Sequence, residues 1–280
     1  MLKPVAFSIL LFLLGQDSHA QVLRPPDTVT ILSDSLSLKG LLWRPEGKGV
    51  FPAIIFCHGS YETSGLRYDA VKQTSVLGPL FAKNNYVFLA LFRRGTALSK
   101  DQGENSADLM NKALKERGQE GRNRVQMQQL LTNDQHDIFA GLEFLRERND
   151  VDIHRLAVIG HSFGGSLALL VTEHHPGIRA VVVFGAGGYS WNSSPQLRTA
   201  LIESVKKIDV PVMLVYAQND YSLNPAYSLD STMNLTGKQH VLKIYPSYGG
   251  SSAEGHNIIF LDPDLWEEEV FKFLHQYLQR

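Results

Sequence analysis

Leu156-Ala157-Val158-Ile159-Gly160-His161-Ser162-Phe163-Gly164-Gly165 carries the fold in ten residues. Residues 156–159 are a short apolar run, the pattern of a strand buried on both faces. Residues 166–174 follow with helical spacing and are closed by Pro176. A serine between strand and helix, with glycine two positions away on either side, fits a nucleophile elbow. The turn forces the serine into a strained conformation, so small residues must flank it. Its hydroxyl then projects above the carboxyl edge of the sheet, where ligands bind in open α/β folds.

Outward from this stretch the same alternation repeats. Residues 28–31 and 37–43 alternate apolar and polar side chains, and Arg44-Pro45-Glu46-Gly47 makes a turn. Short apolar runs recur at 53–57, 86–92, 180–184, 212–216 and 241–245. Between them, Ile138, Leu142 and Leu145 mark a helix, and Ser194-Pro195, Asn224-Pro225 and Asp262-Pro263 look like capped helix starts. Trp266, Val270, Phe273 and Tyr277 share one face of a last helix. The expected fold is one α/β domain over residues 21–280. Its sheet has eight mostly parallel strands with helices on both faces. A polar stretch at about 96–133 interrupts the rhythm, with helices at 106–117 and 122–131 joined through 118–121. Insertions of that length are lids or solvated excursions, and the sequence leaves both open.

A serine hydroxyl is a weak nucleophile and needs a base oriented by a third group. With this kind of elbow the partners follow in the order acid, then histidine. Asp220 closes Ala217-Gln218-Asn219-Asp220, directly after a strand and therefore at the carboxyl edge. Asp209 and Asp230 fall at wrong ends or inside helical patterns. Of His240, His256 and His275, only His256 lies in the loop after the last strand; the others begin a strand or sit in the final helix. The expected catalytic set is therefore Ser162, Asp220 and His256.

The amide of Phe163 and one from Cys57-His58-Gly59-Ser60-Tyr61, with Ser60 ahead of Tyr61, would form the oxyanion hole. His58 in this position braces the loop. Tyr61, Tyr189, Trp191 and Tyr221 line a substrate pocket or pack in the core. Arg93 and Arg94 bind a substrate carboxylate or pair with acids of the insertion.

These residues resemble the α/β-hydrolase superfamily, in particular its dienelactone-hydrolase-like and prolyl-oligopeptidase-like serine hydrolases. The resemblance spans Ser37 to the C-terminus. It rests on His58-Gly59, Arg93-Arg94-Gly95, Gly160-His161-Ser162-Phe163-Gly164-Gly165, Gln218-Asn219-Asp220 and Glu254-Gly255-His256. It implies Ser162 as nucleophile, Asp220 as acid and His256 as base.

Composition trims the alternatives. The 280 residues hold 27 basic and 28 acidic side chains, without the basic footprint of a nucleic-acid binder. One cysteine, Cys57, excludes an intramolecular disulfide and a cysteine-based zinc site. Gly185-Ala186-Gly187-Gly188 lacks the register of a dinucleotide site. No cofactor and no metal are expected. Lys3, the apolar stretch 5–14 and Ser18-His19-Ala20 read as a secretory signal peptide over residues 1–20, giving a secreted or periplasmic chain from Gln21. No later segment is apolar enough to span a membrane. The expected activity is hydrolysis of a small carboxylic ester or lactone through an acyl-enzyme. A peptidase acting on short peptides is the near rival, and a non-catalytic binding protein on this fold is the distant one.

Overall fold

Each of the short apolar runs is a strand. In the computed structural model, which describes residues 24–61 and 69–278, they form one eight-stranded sheet. The leader expected over residues 1–20 lies outside the described residues. The strands are β1 (Asp27–Ser33), β2 (Leu36–Trp43), β3 (Phe51–Cys57), β4 (Val87–Leu91), β5 (Val151–His161), β6 (Ile178–Phe184), β7 (Val212–Ala217) and β8 (His240–Tyr245). Their spatial order is β1-β2-β4-β3-β5-β6-β7-β8. β2 runs antiparallel to both its neighbours, β1 and β4, and β3 to β8 are mutually parallel.

Alternate side chains of the central strands enter two separate cores, because successive residues of a strand point to opposite faces. Ala53, Ile55 and Cys57 of β3 pack on one face beneath α3 (Asn133–Arg146), α4 (Phe163–His174), α5 (Pro195–Lys207) and α6 (Asn224–Leu235). Ile54 and Phe56 pack on the other with α1 (Ala70–Lys83), α8 (Ile258–Leu261) and α9 (Glu267–Leu278). Burial on both faces explains why these strands read as unbroken apolar runs.

The helix starts need correction. Ser194 caps α5, its Oγ accepting from Leu197 N at 3.3 Å. Asn224 does not cap α6: it is the first residue of the helix, after Leu223, and its Nδ2 donates to Asn192 Oδ1 at 3.0 Å. Asp262 opens only the short 3₁₀ turn Pro263–Leu265, and α9 begins at Glu267. The insertion is simpler than its sequence suggests. Helix α2 (Ser106–Leu131), capped by Asn105, is broken at Gly118 alone (φ 65°, ψ −166°). One residue in that region, open to glycine, is enough to redirect the helix. Residues 119–121 are helical.

Candidate active site

The elbow has the strain its sequence implied. Ser162 has φ 58° and ψ −119°, between β5 and the first turn of α4. A Cβ on Gly160 would lie 2.2 Å from Gly164 O, and one on Gly164 would lie 2.0 Å from Cys57 O. Any side chain at either position would therefore push the turn apart. Ser162 N–H donates to Phe184 O at 2.8 Å, which pins the elbow to β6. The amide of Phe163 is the first of α4, and a first-turn amide has no partner within its helix.

Asp220 and His256 meet beside it. The turn after β7 carries Asp220, and His256 ends the short helix α7 (Ser252–His256). His256 Nδ1 donates to Asp220 Oδ1 at 2.8 Å, and the same oxygen accepts from Tyr221 N at 2.6 Å. Both side chains are buried. With Nδ1 protonated toward the carboxylate, Nε2 is left as the basic nitrogen. Ser162 and His256 open onto one cavity of about 310 Å³. No hydrogen bond joins the two side chains among the described residues; contacts of this kind tighten when substrate binds. Elsewhere, His240 pairs with Asp230 at 3.1 Å, Asp209 pairs with Lys238 at 2.7 Å, and His275 packs on Tyr86.

Two features around the imidazole had no assigned role in the sequence. Gly185, at φ +60°, leaves room for the pair: a Cβ there would sit 2.7 Å from His256 Cε1 and 3.0 Å from Asp220 Oδ2. The glycine run after β6 is therefore space for Asp220 and His256. Asn219 fastens the turn of Asp220 to the loop before α7, donating to Tyr248 O and Ser251 O and accepting from Tyr248 N.

The loop after β3 braces as expected. His58 Nδ1 donates to Gly59 O at 2.7 Å and Nε2 accepts from Arg93 N at 3.2 Å, a single neutral tautomer. Burial, reinforced by the Arg93 charge, holds its pKa well below the usual imidazole range. Gly59, Ser60, Tyr61 and Phe163 line the cavity mouth around Ser162.

Arg93 and Arg94 do not reach the cavity. Arg93 donates to His58 O and Gly59 O at 2.8 and 3.1 Å, and its Nε lies 3.3 Å from Asp134 Oδ1. Arg94 pairs with Asp137 at 2.6 Å and with Asp34 at 3.1 Å. Their main partners, Asp134 and Asp137, belong to the first turns of α3 rather than to the insertion. Among the aromatic candidates, Tyr61, Tyr189 and Tyr221 line the cavity, whereas Trp191 is buried in the core under α5. Helix α2 supplies lining that sequence reasoning missed: Ala107, Met110, Asn111 and Leu114 before Gly118, and Arg122 and Gln126 after it. The spacing 107, 110, 111, 114 is one helical face, and that was the available signal. Among the described residues no group of three or more His, Cys, Asp or Glu is placed to hold a metal ion. No helix among them is long and apolar enough to cross a membrane.

Comparison with known proteins bears on the family and the fold. The chain is 22% identical over 226 residues to the uncharacterized peptidase YtmA of Bacillus subtilis, covering 72% of this chain and 76% of that one. Its fold resembles the acylaminoacyl peptidase of Pyrococcus horikoshii, with a TM-score of 0.64 and 19% identity over 92% of this chain. This chain spans only 43% of that larger enzyme. The Pyrococcus furiosus esterase Pf2001 matches over most of both chains, with a TM-score of 0.62 and 15% identity over 90% of this chain and 91% of the esterase. At such identities the two structures speak for the fold alone, the α/β-hydrolase fold. The family assignment comes from the sequence profile matched by residues 38–264, most of the sheet and the edge that carries Ser162 together: the chain belongs to the dienelactone hydrolase family.

Proposed function

We propose that the protein is a serine hydrolase that cleaves a small carboxylic ester or lactone through an acyl-enzyme. One observation carries the reading: the His256–Asp220 hydrogen bond of 2.8 Å and the strained Ser162 face a single cavity. Ser162 Oγ bonds to the substrate carbonyl carbon while its proton passes to His256 Nε2. The oxyanion forms against the amides of Phe163 and Ser60, with Tyr61 N as the alternative donor. The carbon–oxygen bond to the leaving alcohol then breaks, and His256 returns the proton to that oxygen. Water repeats the sequence on the acyl-serine, releasing the acid and regenerating Ser162. Asp220 stays ionised, holding the imidazole in the tautomer with Nε2 free.

Cleavage of short peptides is the second reading, supported by the likeness to a peptidase and an acylaminoacyl peptidase. Against an aminopeptidase-like specificity, the described cavity lining contains no carboxylate to receive a free α-ammonium group. A fluorophosphonate probe should label the wild type on Ser162, and Ser162→Ala should abolish both labelling and p-nitrophenyl ester hydrolysis, by roughly 10⁴-fold or more in kcat. An unlabelled wild type overturns the hydrolase reading. Turnover of aminoacyl anilides without esterase activity moves the assignment to the peptidase.

A further inference from the structure

The cavity shared by Ser162 and His256 has a neighbour. A second hollow of about 340 Å³ adjoins it, and Gln73 and Asn257 line both. Gln73 Oε1 accepts from the Tyr61 hydroxyl, and Asn257 Nδ2 donates to Ala253 O at 2.7 Å. The hollow lies between α1 and the segment α7–α8, where Val76, Ala253, Phe260 and Leu261 give it an apolar lining. Val76 and Leu261 are 39% and 50% exposed, so two aliphatic side chains stand open to water in a concave site. Covering such surface with an apolar group is favourable in proportion to the area removed from water. The acids at the rim are spent locally. Asp69 Oδ1 caps α1, accepting from Val71 N and Lys72 N at 2.9 and 3.1 Å. Glu254 accepts from Ser251 Oγ at 2.7 Å and from Gly250 N at 3.0 Å.

The two cavities draw on opposite faces of the sheet. Met110 of α2 and Leu197 of α5 line the first and belong to the core beneath α3 to α6. Phe260 of α8 lines the second and packs with α1 and α9 in the other core. On the serine-hydrolase reading the scissile bond lies at Ser162, between these faces, so the two halves of an ester run apart from it. His256 must reach the leaving oxygen to protonate it. The half that carries this oxygen is the alcohol, and the hollow begins at Asn257, the residue after His256. The acyl half is then left to the cavity beneath α2.

We infer that the hollow between α1 and α8 is a subsite for the alcohol half of the ester, and that this half is bulky and apolar. The inference rests on the serine-hydrolase reading and names the substrate class within it. The class is open-chain esters of aryl or branched-alkyl alcohols. A lactone fits it poorly, because its alcohol stays tethered to the acyl group and cannot extend separately into the hollow.

Three esters test it: phenyl acetate, 4-tert-butylphenyl acetate and phenyl hexanoate. The two phenols are similarly good leaving groups, so kcat/KM for tert-butylphenyl over phenyl acetate reads the fit of the alcohol half. The ratio of hexanoate over acetate reads the acyl half. Both ratios are measured in wild type, Val76→Ser, Leu261→Ser and Leu261→Met. The wild-type alcohol ratio should be roughly 10 or more, and each serine variant should lower it roughly 5- to 20-fold. Leu261→Met, which keeps volume and apolar surface, should retain most of it. A wild-type alcohol ratio of 1 or below, or one unmoved by both serine variants, overturns the subsite. Phenyl acetate turnover and fluorophosphonate labelling then leave the hydrolase reading standing. An equal or larger fall in the acyl ratio overturns the assignment to the alcohol half. A wild type that turns over none of the three esters overturns the subsite, and one that also resists the probe overturns the hydrolase reading with it. Because each ratio is internal to one preparation, partial unfolding of a variant does not mimic the effect.

Discussion

His161, the residue just before Ser162, holds His256 in place from the far side of the elbow. Its Nε2 donates to the backbone carbonyl of His256 at 2.9 Å, and the two rings lie 4.9 Å apart. On the other side Tyr221 stands 4.9 Å from the His256 ring, so the imidazole sits between two aromatic neighbours. Burial is the main reason the His161 pKa falls to about 3, with the neighbouring His256 lowering it further. The native state therefore binds fewer protons at this site than the unfolded chain between about pH 3 and the ordinary histidine value of about 6.5. Stability contributed by neutral His161 is complete above that window and is lost as pH falls through it, with a slope approaching about 1.4 kcal/mol per pH unit. Urea unfolding between pH 7 and 4 should show this decline, and His161→Gln, which keeps a donor but does not titrate, should flatten it. Equal slopes for the two proteins would remove His161 as the source.

At the scale of elements, α3 is locked to the sheet by charge as well as by its apolar face. Ile138, Leu142 and Leu145 enter the core, fulfilling the helical periodicity. The helix's first turns carry Asp134 and Asp137 to the arginines that follow β4. Asp137 also accepts from Ser33 Oγ at 2.7 Å, which joins α3 to the end of β1. Asp137 is fully buried, so removing it leaves the Arg94 guanidinium with only the exposed Asp34, and Asp137→Ala should cost about 3 kcal/mol in urea unfolding. Replacing both partners, as Arg94→Met with Asp137→Leu, should cost clearly less, because no buried charge is then left unpaired and Asp34 is exposed to water. A single variant within about 1 kcal/mol of wild type would show the pair to be a surface-like contact. Which acids the arginines pair with was not legible in the sequence. Arg94 and Asp137 are 43 residues apart, and a polar loop reads the same whether its arginines face substrate or a helix terminus.

For the molecule as a whole, the sole cysteine reports on the intact sheet. Cys57 is fully buried at the end of β3, and burial pushes its thiol up to about 12. Since the thiolate is the reactive species, native protein should resist iodoacetamide, and labelling across a urea series should follow the global unfolding transition. Rapid alkylation in native buffer would mean that the central strand opens locally. The strands, the elbow and the positions of Ser162, Asp220 and His256 were determined by the sequence itself. Side-chain period, glycine spacing and placement at strand ends are properties of neighbouring residues, and parallel crossovers return those ends to one edge of the sheet. Tertiary structure alone decided which polar residues meet. It placed Trp191 in the core, gave Arg93 and Arg94 to α3, opened the glycine run after β6 around His256, and aimed Arg122 and Gln126 into the cavity. The physical reason is that burial pattern is written in local periodicity, whereas the partner of a charge depends on where a distant segment comes to rest.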